Sequence, residues 1–279
     1  MTVDKLKSAL ADSGLRKVVL IGIPDDSNSS FSPGAADAPP AIRKQLFSDA
    51  FNMWTETGVD LSKDVFFDAG DLQLLEVSEP WDTVQEAIEV ILDYGLPPIC
   101  LGGDHAITYP IVKGFRRKYA NLSILHFDAH PDLYDNYANN PHSHASPFAR
   151  IMENNLADRL VQVGIRTATG HQREQAKRFG VEMIEMRELK NDLNLRFETP
   201  LYVSMDIDGL DPAYAPGVSH PEPGGLSPRQ VIDTIQHLEG RVVGADIVEV
   251  NPRRDFQNLT AVVASKMVKE IAAKILLQQ

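Results

Sequence analysis

The chain has 279 residues, 43% hydrophobic and 24% charged, with a net charge of −12. That is an ordinary globular composition, long enough for a sizeable core, and α/β chains of this size are commonly one domain, so one domain over 1–279 is expected. The acid excess disfavours a nucleic-acid partner, and no run of about 18 apolar residues marks a membrane span.

In chain order, the opening stretch MTVDKLKSALADSGLRK lacks the apolar core of a secretory signal. Short apolar runs then recur. KVVLIGI (17–23), VFFDAG (65–70), PPICLGG (97–103) and LSILHFD (122–128) come first. RLVQVGI (159–165), VEMIEM (181–186), LYVSMDI (201–207) and RVVGADIVEV (241–250) follow. Many are apolar on both faces, the mark of parallel strands covered by helices. Residues 81–94 and 259–276 carry apolar side chains at helical spacing. LSPRQVIDTIQHL (226–238) reads as a helix with Ser227 as N-cap and Pro228 in the first turn. Strands alternating with helices predict an α/β fold with a mainly parallel sheet. The stretches 25–40 and 131–147 read as long loops. The single cysteine, Cys100, cannot form an internal disulfide and reads as a buried small hydrophobe, which suggests a reducing, cytoplasmic setting.

Three apolar strands run into polar clusters: ICLGGDH ends at His105, ILHFDAHPD carries Asp128, His130 and Asp132, and LYVSMDIDGLDP carries Asp206, Asp208 and Asp211. In a parallel sheet all three emerge at one edge, where ligands of such sheets bind. Residues two apart on an extended chain share a face, so Asp128, His130 and Asp132 converge if the chain stays extended, and Asp206 and Asp208 likewise. His126 is expected to point to the opposite face from Asp128's neighbours and to be a packed or supporting group. Four carboxylates in one pocket call for positive charge, and two divalent cations would neutralise them, with His105 and His130 as nitrogen ligands. A carboxylate-rich shell with little imidazole favours Mn²⁺ over Zn²⁺.

In this order and at these separations the segments resemble the ureohydrolases, the family of arginase and agmatinase, over nearly the whole chain. SHASPFARIME (143–153), QVGIRT (162–167), REQAKRFGVE (173–182), APGVSHPEPGGLS (215–227) and GADIVEVNPRRD (244–255) are most similar to the plant-type arginases. The resemblance implies a three-layer α/β/α fold and two Mn²⁺ per subunit. One ion would take His105, Asp128, Asp132 and Asp206, the other His130, Asp128, Asp206 and Asp208, with Asp128 and Asp206 bridging. Asp211 is no ligand in that pattern, and its place before Pro212 suits a turn.

The implied reaction is hydrolysis of a guanidinium group to urea and an amine. Water made nucleophilic by the metals would attack the carbon, and Asp132 would pass a proton to the leaving amine. Glu249 matches the family glutamate that pairs with the guanidinium. His144 matches the proton-shuttling histidine, with His142 a nearby competitor, and His220 is a further candidate for contact with substrate. The loop LYDNYANNPHSH and the segment TATGHQ after GIR match neither animal-type pattern for an amino-acid substrate. L-Arginine is favoured, with agmatine close behind and formiminoglutamate or other guanidino compounds as alternatives. A homo-oligomer, trimer or hexamer, is implied by the resemblance. Rival classes fit less well: a one-zinc deacetylase does not need the full DAHPD cluster, and a Ca²⁺ site favours all-oxygen shells.

Overall fold

The computed structural model describes every residue except 13, 15, 16, 63, 75–77, 190–192 and 279. Its centre is an eight-stranded sheet. The strands are β1 (Val18–Ile23), β2 (Phe66–Asp71), β3 (Pro98–Gly102), β4 (Ser123–Phe127), β5 (Arg159–Ile165), β6 (Glu182–Glu185), β7 (Leu201–Asp206) and β8 (Val242–Val248). Their order is β2-β1-β3-β8-β7-β4-β5-β6, and every pairing between them is parallel. The central strands β1, β3, β4, β7 and β8 are buried along their whole lengths, which is why they read as continuous apolar runs.

Among the described residues eight α-helices cover the sheet: α1 (Val3–Ala11), α2 (Ala38–Leu46), α3 (Pro80–Asp93), α4 (Thr108–Lys118), α5 (Pro147–Glu153), α6 (Gly170–Phe179), α7 (Pro228–His237) and α8 (Leu259–Leu277). Strand alternation divides the core in two. Val18, Leu20, Leu101, Met205 and Ile247 pack with Ile42 of α2, Val231 of α7 and Met267 of α8. Val19, Ile21, Cys100, Ile124 and Tyr202 pack with Leu6 of α1, Ile88 of α3, Ile111 of α4, Phe148 of α5 and Ala176 of α6. This is the expected three-layer α/β/α arrangement.

The predicted helix over 226–238 is α7, and Ser227 caps it with Pro228 in the first turn; Gln230 completes a capping box. The stretch 25–40 is less of a loop than its composition suggests. A 3₁₀ turn forms at Ala35–Asp37, and α2 begins at Ala38 with its prolines in the first turn, where a missing N–H is harmless.

Chain order decides which strand ends meet. After β3 the chain crosses to β4, and the gap is later filled by β7 and β8. The strands preceding His105, Asp128, Asp208 and Glu249 are therefore the four adjacent strands β3-β8-β7-β4. Their carboxyl ends form one edge, at a switch point of the sheet.

Candidate metal and active site

At three of these ends the chain turns at once, and an aspartate makes the turn. Asp104 Oδ1 accepts from Ala106 N at 3.0 Å, Asp128 Oδ1 from His130 N at 2.6 Å and Asp206 Oδ1 from Asp208 N at 2.7 Å. Such i to i+2 bonds close Asx turns. The extended chain expected beyond Asp128 and Asp206 is thus not what brings these residues together. β4 ends at Phe127, Asp132 is left-handed at φ 49°, and residues Ile207–Gly209 form a 3₁₀ turn. Convergence comes from folding back. His126 is also corrected: two residues from Asp128 on the strand, it shares that face and its Nε2 lies 2.8 Å from Asp128 Oδ2. Gln162 Nε2 stands 3.0 Å from the other ring nitrogen, and burial lowers the His126 pKa, so the ring is neutral with its proton on Nε2.

All six candidate ligands come together. His105 Nδ1 is 3.3 Å from Asp128 Oδ2, 3.0 Å from Asp132 Oδ2 and 3.1 Å from Asp206 Oδ2. His130 Nδ1 is 3.3 Å from Asp128 Oδ1 and 3.2 Å from Asp208 Oδ2. Among the described residues three donor groups result, all sharing Asp128: His105, Asp128, Asp132 and Asp206; Asp128, His130 and Asp208; and His105, His126 and Asp128. Asp206 faces the first group through Oδ2, while its Oδ1 holds the Asp208 N–H.

The charge balance is poor without a cation. Burial, with the charges of Asp208 and Asp128, pushes the Asp206 pKa well above the usual range. Burial raises Asp208 to about 6 against the pull of His130. Asp128 is held well below its usual value, because His126, His105 and His130 outweigh its burial. His105 Nδ1 is buried and makes no hydrogen bond, although three carboxylate oxygens surround it. A proton can point at one of them; a cation in their midst satisfies all. The donors fit a divalent metal.

Beneath His105 lies a network that sequence reasoning missed. His105 Nε2 is 3.0 Å from Ser204 Oγ, and Ser204 donates to Asp246 Oδ1 at 2.8 Å. Asp246 also accepts from Thr108 Oγ1 at 2.8 Å and Tyr202 OH at 2.7 Å. Partners of this kind fix which ring nitrogen faces a metal. The available signal was polar residues at 204 and 246 inside otherwise apolar strands.

A cavity of about 160 Å³ opens above the cluster, with His130, Asp132, Asp206, Asp208, His144, His220 and Glu249 among its walls. Glu249 directly follows β8 in a left-handed conformation, φ 63°, which breaks the strand early and costs an L-residue roughly 1–2 kcal/mol. Its Oε1 accepts from His105 N at 2.9 Å and lies 2.8 Å from His144 Nδ1. Burial opposes the charging of His144, but Glu249 prevails and raises its pKa to about 9. His220 packs its ring 5.2 Å from that of His144, and its pKa is lowered by burial first and by His144 next. His142 is exposed and rests on Trp81 and Tyr109, away from the cavity. Asp211 has the expected turn role, accepting from the backbone N–H groups of Ala213, Gly224 and Gly225. Cys100 is fully buried, as read.

A family model described as the arginase family matches residues 16–273. The chain belongs to the arginase family. It is 46% identical over 274 residues to the mitochondrial arginase of Medicago truncatula, covering 92% of this chain and 81% of that protein. The mitochondrial arginase 1 of Arabidopsis thaliana is also 46% identical, with 92% and 80% covered. The agmatinase of Bacillus anthracis is 34% identical, with 91% and 90% covered. The solved Medicago truncatula arginase superimposes with a TM-score of 0.91 at 43% identity, covering 98% of this chain and 92% of that one. The chain is therefore a hydrolase of the arginase and agmatinase type, a family dependent on a binuclear metal site. The cytoplasmic expectation does not stand, since these plant relatives are named mitochondrial. A single buried thiol excludes an internal disulfide and does not distinguish one reducing compartment from another.

Proposed function

We propose that the chain hydrolyses the guanidinium group of L-arginine to urea and L-ornithine. His105, Asp128, Asp132 and Asp206 would hold one Mn²⁺, and His130, Asp128, Asp206 and Asp208 a second, with Asp128 and Asp206 shared. The observation that carries this reading is the orphaned His105 Nδ1 among three carboxylate oxygens. Oxygen-rich donors with one imidazole per group and no thiolate suit Mn²⁺ better than Zn²⁺. When bound, such a pair supplies a low-pKa water and neutralises developing negative charge.

The chain's own residues do the rest. Glu249, fixed by His105 N and His144, presents a carboxylate to the guanidinium N–H groups. Asp132 passes a proton to the departing amine. His144 moves protons between the cavity and its surroundings. His220, packed on His144 and beside His130, closes one wall against the substrate chain.

One observation favours agmatine as a second reading. No lysine or arginine lines the cavity among the described residues. An α-carboxylate would meet neutral donors such as Tyr134, Tyr137, Thr167 and Gln172. The test is urea release by the Mn²⁺-loaded protein with L-arginine and agmatine side by side, and Asp128→Asn as the metal-site control. Urea from L-arginine above agmatine, lost in the control, is expected. The reverse order transfers the reading to agmatine, and urea from neither, with two metals bound, overturns both. A homo-oligomer, trimer or hexamer, belongs to the same reading. Phe256, 68% exposed just ahead of α8, and Leu259, 41% exposed as its first residue, are large apolar groups that a second copy would cover. A monomer by light scattering would overturn that part.

A further inference from the structure

The loop after β1 lies outside the catalytic set drawn from the sequence, yet it reaches the imidazole of His144. Ser30 Oγ is 2.8 Å from His144 Nε2, and the Ser30 backbone N–H donates to the same nitrogen at 3.2 Å. The loop is pinned in place. Asp104 Oδ2 accepts from Asn28 N at 2.9 Å and Ser29 Oγ at 3.2 Å, while Asn28 O accepts from His144 N at 3.2 Å. His144 is 7% exposed and its Nδ1 is taken by Glu249. Ser30, by contrast, is exposed and lines the cavity. With Nδ1 occupied, the ring's Nε2 thus has the exposed Ser30 hydroxyl as its side-chain partner.

We propose that the Ser30 hydroxyl is the proton port of His144, relaying protons between Nε2 and water; this rests on the reading of His144 as the proton-moving group. The chemistry follows from the two donors at Nε2. A backbone N–H can only donate, so it faces the lone pair of a neutral ring and repels a protonated one. A hydroxyl both accepts and donates. For release, the Nε2–H bond breaks and its electron pair stays on nitrogen as the proton passes to Ser30 Oγ. The original Oγ proton passes to water, which becomes hydronium, and the hydroxyl is regenerated. Uptake is the reverse, and no oxidant or reductant is needed. The charged and titratable groups around this ring are Glu249, Asp132, Asp104 and His220.

The geometry also separates relay from positioning. Ser30→Ala removes the hydroxyl but keeps the backbone N–H on Nε2, so the ring should stay in place. The experiment measures kcat and KM of the Mn²⁺-loaded protein at low and high concentrations of imidazole buffer. The variants are Ser30→Ala, Ser30→Thr, His144→Asn and Ser30→Ala combined with His144→Asn. Ser30→Ala should lower kcat about tenfold at low buffer with KM unchanged, and concentrated buffer should restore it. Ser30→Thr should stay close to the parent. In the His144→Asn background Ser30→Ala should change nothing further. Parent kcat for Ser30→Ala at low buffer, or an equal loss in both backgrounds, would overturn the port while leaving His144 in its role. Parent turnover by His144→Asn would instead remove the reading on which the port rests.

Discussion

Gly209 sits where two acidic motifs touch, and adding one methyl group there tests the whole placement of the site. A Cβ at this position would lie 2.8 Å from Asp128 N, 2.9 Å from Asp128 Cα and 3.2 Å from Phe127 C. All three are backbone atoms, and ordinary contact begins at 3.4 Å, so the two segments must part by 3.4 − 2.8 = 0.6 Å. Gly209 is not left-handed, so Gly209→Ala acts through crowding alone. Overpacking of this kind costs about 1–3 kcal/mol, and for a chain of this size each kcal/mol lowers Tm by about 2–4 °C. Metal sites tolerate displacements of only about 0.2 Å. The separation falls between Asp128 and Asp208, which would hold the same ion, so metal affinity should drop at least tenfold, roughly 1.4 kcal/mol of metal-linked stability under saturating conditions. Calorimetric metal titration and thermal melts with and without Mn²⁺ would measure both effects. A Gly209→Ala protein that takes up metal with parent affinity and melts with the parent would refute the idea that backbone contact sets the spacing of the two motifs.

Asp246→Asn places an amide donor among three hydroxyl donors under His105, so metal affinity should weaken by about 10–100-fold while the fold survives; unchanged metal retention on dialysis would dismiss the network as a support for His105. Arg166 donates to the carbonyl oxygens of Gly164, Asp208, Gly209, Leu210 and Glu222, a span that no ammonium group covers. Arg166→Lys should therefore lower both Tm and metal affinity, and a melt matching the parent would count against this clamp. Glu56 is held at a pKa of about 2, chiefly by its hydrogen bond to Arg229. A depressed carboxyl stabilises the fold above its unfolded pKa of about 4.5 and loses that contribution as pH falls toward 2. The pair is well exposed, so the Tm difference between parent and Glu56→Gln should be small at pH 7, vanish near pH 2 and shrink in salt; a difference that grows on acidification would show the assignment to be wrong.

The sheet was legible because its strands are apolar on both faces, and all eight predicted runs became strands. Helices α3, α7 and α8 were legible from spacing and caps. Helix α2 was hidden by Pro39 and Pro40, which read as loop residues and in fact occupy the first helical turn. The six candidate ligands were readable because carboxylates and histidines stand out at the ends of apolar runs. What was not readable was how they meet. Spacing along an extended strand and spacing around an Asx turn give similar residue patterns, and only the fold distinguishes them. His126 was misplaced for another reason: two residues before Asp128, it falls on the same face by the ordinary alternation of a strand. Ser30 escaped notice because its partner is His144, more than a hundred residues away, and a serine in a serine-rich loop carries no local mark.

The acidic cluster also makes metal uptake a proton-exchange reaction whose direction follows from the structure. Asp208 is raised from an ordinary carboxylate value to about 6, and Asp206 lies well above its usual range, because both are buried beside like charges. The metal-free fold therefore binds more protons at these positions than the unfolded chain does. By linkage its stability falls as pH rises from about 4 through 6, opposite to the behaviour of an ordinary ion-paired carboxylate. A divalent ion removes the cause of this penalty and must displace the protons to enter. Metal affinity should accordingly increase with pH across that window, and calorimetry in buffers of different ionisation enthalpy should detect protons released on binding. Asp208→Asn should flatten the metal-free Tm profile between pH 4 and 6, since its amide has no proton to lose. Binding without proton release near pH 5, together with parallel Tm profiles for parent and variant, would mean that the cluster is not the strained group of buried acids described above.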